Sequence, residues 1–93
     1  NYQDLLPRPD DCILLIEVAE SSLEFDTSGM ARRYAIAGIP EYWVLDILHA
    51  RVLVHRRPEA GSYREVVAHP GGASFISPAL GGGAIRVDDI LVA

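Results

Sequence analysis

An apolar run from Cys12 to Ala19, CILLIEVA, carries a single acid at Glu17, and this combination restricts the chain more than any other feature. Apolar runs without alternation belong to strands covered on both faces. Carboxylates are almost never fully buried there unless they are paired. An unpaired buried carboxylate costs several kcal/mol or is driven to hold its proton. A chain that keeps Glu17 in such a run therefore needs a partner for it: a cation, a cluster of hydrogen-bond donors or a metal. The downstream segments frame that strand. Ser21 and Glu24 have capping-box spacing and predict a helix ending at Gly38, and Pro40 then introduces a second strand, YWVLDI, from Tyr42 to Ile47. Strand, helix and strand in this order predict a crossover unit, and so an α/β fold with a mixed β-sheet and one crossover helix.

Within the helix, Leu23, Met30, Tyr34 and Ala37 fall on one stripe, and Gly29 weakens it by roughly 1 kcal/mol relative to alanine. Leu48 to Ala50 turn the chain into RVLVHRR, Arg51 to Arg57. Pro58 to Ser62 supply a second turn before YREVVA, Tyr63 to Ala68. The alternation in these runs predicts an antiparallel hairpin with one wetter face. From His69 the chain is rich in Gly and Pro and admits only short strands or turns. The last run, from Ile85, reads as a short strand and a terminal turn that docks Ile90 and Leu91. At the other end, Asn1 to Asp11 is a polar connector in which Pro7 and Pro9 disfavour helix.

Composition sets outer limits. At 93 residues and 49% hydrophobic, the chain is expected to form a single domain over residues 1–93, small enough to gain from a partner subunit. A net charge of −5 argues against a broad electrostatic grip on nucleic acid and leaves room only for a local basic patch. Arg56, Arg57 and Arg64 on the hairpin are either such a phosphate-contacting patch or ordinary surface arginines. The one cysteine forms no internal disulfide, which suits a reducing cytoplasm, and no run is long enough to anchor the chain in a membrane. All eight basic residues are arginines, so any chemistry needing a compact, titratable ammonium group lacks one. His49, His55 and His69 have no metal-motif spacing and read as solvated. Tyr34 and Trp43 read as core or interface aromatics with a satisfied polar tip.

IEVAESSLEFD (16–26), Tyr34 on the helix and AIAGIPEYWVLD (35–46) together resemble the Uma-two-type restriction endonuclease family of the PD-(D/E)XK nuclease superfamily. The resemblance runs from about Pro7 to Ala93. It implies the C-terminal portion of a restriction-endonuclease-like core, DNA as substrate and Mg²⁺-dependent phosphodiester hydrolysis, in which acids hold the metal and a lysine orients the attacking water. Glu17 matches the family's acid, so the resemblance makes it both the catalytic position and the metal position. The family's metal-binding Asp lies before the connector in which this chain starts. Its lysine stands on the helix four residues ahead of the tyrosine, which is Met30 here. A thioether does not replace an ammonium group beside a phosphate. The expectation is therefore a nuclease-family chain that is inactive or severely impaired. The alternative is a non-catalytic module derived from the same fold, one that forms a homodimer or binds DNA in a regulatory role.

Overall fold

The computed structural model describes residues 13–19 and 28–91 of the chain. Its strands follow the expected order: β1 (Leu14–Ala19), helix α1 (Ser28–Ile36), β2 (Glu41–Asp46), β3 (Arg51–Glu59) and β4 (Ser62–Pro70). β1 pairs with β2 in parallel, Glu17 opposite Val44, and β2, β3 and β4 follow antiparallel, giving a mixed sheet in the order β1-β2-β3-β4. A parallel pair needs a crossover between its strands, and α1 lies within that connection. The connector 1–11, the capping-box pair Ser21 and Glu24, Leu23 and Cys12 lie outside the described residues.

α1 ends as the sequence predicts. Gly38 sits at φ 78°, its N–H bonds the carbonyl of Ala35 and the Ile39 N–H bonds that of Tyr34. This Schellman closure leaves Ile39 buried just past the helix end. The packed stripe differs from the expected one. Ala31, Tyr34 and Ala35 face the sheet, whereas Ala37 is exposed, because it already belongs to the turn. The hairpin turn is tighter than expected. Pro58 remains within β3, and only Ala60 and Gly61 turn the chain, both at positive φ as a type I′ turn requires.

The sheet has two covered faces. On one, α1 packs over Ala19, Tyr42, Val44 and Tyr63, with Leu15 and Leu53 beside them. On the other, Trp43, Val52 and Val54 meet Phe75 and Val87. Those last two residues come from the Gly- and Pro-rich tail, where β5 (Ser74–Ile76) pairs antiparallel with β6 (Ala84–Arg86) and leads into α2 (Val87–Ile90). Ile90 and Leu91 dock there as the sequence predicts.

The full cover expected for the Cys12–Ala19 run is corrected by the structure. Among the described residues β1 is an edge strand, and its side chains alternate. Leu15 and Ala19 face α1 and Leu14 packs against the tail-side cluster, while Ile16 and Val18 are 47% and 53% exposed, because that cluster covers only the start of β1. No described helix is long and apolar enough to cross a membrane.

Candidate functional site

Strand parity decides where Glu17 points. Leu15, Glu17 and Ala19 share the α1 face with their neighbours on β2, Tyr42 and Val44. Glu17 is partly buried there. One carboxylate oxygen accepts the hydroxyl of Tyr34 at 2.5 Å, and the other accepts that of Tyr42 at 3.2 Å. The two rings meet edge to face, centroids 5.0 Å apart, so their hydroxyls reach the carboxylate from different directions. Of the three kinds of partner the sequence allowed, the structure supplies hydrogen-bond donors.

Both phenols are firm donors. Burial, then the Glu17 hydrogen bond and charge, push Tyr34 up to about 12, with Arg33 opposing. Burial and the Glu17 charge also raise Tyr42. At neutral pH neither gives up its proton. The aromatic row continues across the sheet through His55, 4.8 Å from the Tyr42 ring, to Tyr63, whose hydroxyl bonds the Ile39 carbonyl at 2.8 Å.

Met30, standing where the resemblance puts a lysine, is partly buried one turn ahead of Tyr34 on the same side of α1. Glu20 and Asp26, two further acids between Glu17 and Met30 in the sequence, lie outside the described residues. Mg²⁺ takes near-octahedral oxygen coordination, usually from one or two carboxylates together with waters and phosphates. Among the described residues no three His, Cys, Asp or Glu side chains converge, and the lone carboxylate has a phenol on each oxygen. That donor set does not fit a magnesium site.

A second carboxylate lies on the opposite face. Glu41, 3% exposed, accepts Trp43 Nε1–H and the Ser77 hydroxyl (2.7 Å) on one oxygen, and Arg56 Nε–H at 3.4 Å on the other. Arg56 also donates to the Ile76 carbonyl and stands 3.6 Å from Glu65. Arg64 pairs with Glu59, while Arg56 and Arg57 both line a cavity of about 420 Å³ with Glu41, Ile13, Pro40 and Pro78. Arg64 is engaged apart from the other two, and Arg56 is already engaged by carboxylates.

Asp46, 1% exposed at the end of β2, accepts from Arg51 Nε and from the backbone and ring of His49. Burial alone would raise its pKa. The Arg51 and His49 hydrogen bonds outweigh that and hold it below the usual carboxylate range.

The expectation of solvated histidines fails at His55. It is 6% exposed because α1 and Tyr63 close over β3, and burial lowers its pKa. His69 stacks on Phe75. Tyr34 and Trp43 are the tipped core aromatics that the sequence predicts, bonded to Glu17 and Glu41. Tyr42 was legible in principle, since parallel pairing of an IEV strand with an EYW strand puts the acid and that tyrosine on one face. The Glu41, Arg56 and Ser77 set, spread over 36 residues, had no local signal.

No curated protein and no solved structure matches the chain. A protein-family model does match, over residues 2–88, and its description is "Uma2: Putative restriction endonuclease". With that match spanning nearly all of its length, the chain belongs to the Uma2 family of restriction-endonuclease-like proteins.

Proposed function

We propose that this chain is the C-terminal portion of a PD-(D/E)XK-type nuclease fold, a single domain over residues 1–93 with DNA as its substrate class, and that as this polypeptide it is inactive or severely impaired in cutting DNA. Family membership supports the nuclease class, and the β1-α1-β2 crossover supports the fold. Glu17 is the acid we assign to the family's catalytic and metal position, with Mg²⁺ as the family's metal. In a family site with its full donor set, a bound ion would supply polarisation of the phosphate and a more acidic water, and the described residues around Glu17 do not make up that set. The observation that carries the impairment is the donor set around Glu17: two phenols, no second described carboxylate, and Met30 where the lysine belongs. A cytoplasmic setting accompanies this reading, because the chain's one thiol has no internal partner and such an enzyme meets its DNA there.

The test is nicking of supercoiled plasmid with Mg²⁺ or Mn²⁺ by the chain, by Met30→Lys and by Glu17→Ala. The expected result is no cleavage by the unmodified chain above the Glu17→Ala background. Nicking that disappears in Glu17→Ala would overturn the impairment. Cleavage by Met30→Lys alone would locate the loss at the helix position.

A second reading, a homodimerising module, draws on the edge position of β1 and the exposure of Ile16 and Val18. Light scattering of the 10.1 kDa chain across a concentration series decides it, and a monomer at every concentration removes it.

A further inference from the structure

We infer that Glu17 in this chain serves as the hub of a tyrosine–carboxylate–tyrosine clamp, with the Tyr34 and Tyr42 hydroxyls standing where a metal ion would otherwise be needed. The clamp joins three elements. Glu17 comes from β1, Tyr34 from α1 and Tyr42 from β2, so the two hydrogen bonds span 17 and 25 residues of chain.

β1 is where such a fastening matters. Among the described residues it pairs along one edge only, and on the face away from α1 two of its side chains stand about half exposed. Its attachment to the rest of the core rests on the parallel ladder, on Leu14 against the tail-side cluster, on Leu15 and Ala19 against the α1-side cluster, and on Glu17. Hydrogen bonds to an ionised acceptor are stronger than neutral ones. Two of them from different directions fix a carboxylate in both position and orientation. The edge-to-face packing of Tyr34 on Tyr42 holds the donors in that arrangement. Arg33, one residue from Tyr34, forms no ion pair with Glu17 among the described residues. The partner that the acid requires is therefore met by neutral donors. A cation reaching Glu17 would have to share oxygens already engaged by the phenols.

The inference goes beyond the nuclease reading and can be separated from it, because the clamp is tested without DNA. Thermal unfolding is measured for the full chain, Glu17→Gln, Tyr34→Phe and the double variant, in chelator and again in millimolar MnCl₂. Each single substitution is expected to lower Tm by on the order of 5 °C. The double variant should lose clearly less than the sum, since Tyr34→Phe removes the donor and Glu17→Gln the charge that strengthens the same bond. Mn²⁺ should move the unmodified chain and Glu17→Gln alike. If Tyr34→Phe does not fold, Tyr42→Phe closes the same cycle through the other oxygen. Additive losses would overturn the clamp. So would a rise in Tm with Mn²⁺ that occurs in the unmodified chain and is absent in Glu17→Gln, which would make Glu17 a metal ligand.

Discussion

The two faces of the sheet each hold one glutamate against an aromatic core, and they satisfy it by different means. On the tail-covered face, Glu41 has a guanidinium, an indole N–H and a hydroxyl, so both charge and lone pairs are met. On the helix-covered face, Glu17 has two phenols and no cation among the described residues. Buried charge without a counter-charge is the costlier arrangement. It persists here because Glu17 keeps partial contact with solvent, whereas Glu41 is sealed. The difference separates structural anions from candidate functional ones. Glu41 is buried with a cation at hand, while Glu17, which we propose as the family's acid, meets two phenols and keeps a path to solvent.

The largest effect is expected from unsealing the closed side. Arg56→Met keeps much of the stem's packing but strips Glu41 of its cation and the Ile76 carbonyl of its donor. A buried pair broken from one end costs about 3 kcal/mol. Urea denaturation at neutral pH should show that loss, and a change below about 1 kcal/mol would mean that Trp43 and Ser77 suffice for Glu41. Next comes Asp46, buried like Glu41 and sharing its ion-pair solution. Arg51→Ala should cost about 2 kcal/mol, typical of hydrogen bonds to charged groups. Because the Asp46 pKa is depressed in the fold, its contribution is complete above the ordinary value near 3.9 and fades as pH falls through the folded value. The Arg51→Ala deficit should therefore shrink in acid, and a deficit constant from neutral pH to strong acid would show that Arg51 acts through packing.

These contrasts also mark what the sequence made legible. The crossover, the hairpin and the tail's short strands follow from periodicity and from Gly and Pro placement, all local signals. Glu17 stood out because an acid in an apolar run is itself a local anomaly. The cover on β1 was misjudged because an unbroken apolar run looks the same on a central strand and on an edge strand with one exposed row. His55 was misjudged because its burial depends on α1 and Tyr63 meeting across the sheet. Glu41 was passed over because an acid at a strand start is unremarkable until Arg56 and Ser77 arrive from distant segments.

A smaller effect sharpens the comparison at the helix end that presents Tyr34. Gly38→Ala places a side chain at φ 78° and should cost about 1 kcal/mol by strain, since nothing lies close enough to clash with the new Cβ. A loss much beyond that in urea denaturation would mean that the Schellman closure also sets the position of Tyr34 over Glu17.

The smallest effect lies deeper in the same face. His55 Nδ1 stands 3.0 Å from the Tyr42 carbonyl, and since a carbonyl only accepts, Nδ1 carries the proton in the neutral ring. Burial lowers its pKa, against weaker support from the Tyr42 and Leu53 backbone. In the unfolded chain the same imidazole takes up a proton near pH 6.5. Between the folded value and that pH the unfolded state binds more protons, so stability rises with pH across this window and levels off above it. His69 is shifted in the same direction by burial and by Arg56, and it contributes a parallel slope. His55→Gln retains a donor for the Tyr42 carbonyl and removes one titration. Its stability difference between pH 5 and pH 8 should therefore be smaller than that of the unmodified chain by about 0.5–1 kcal/mol, while the His69 share persists. An unchanged slope would mean that the aromatic row opens to solvent before the rest of the fold, and the Tyr42 side of the Glu17 arrangement would then be the looser of the two.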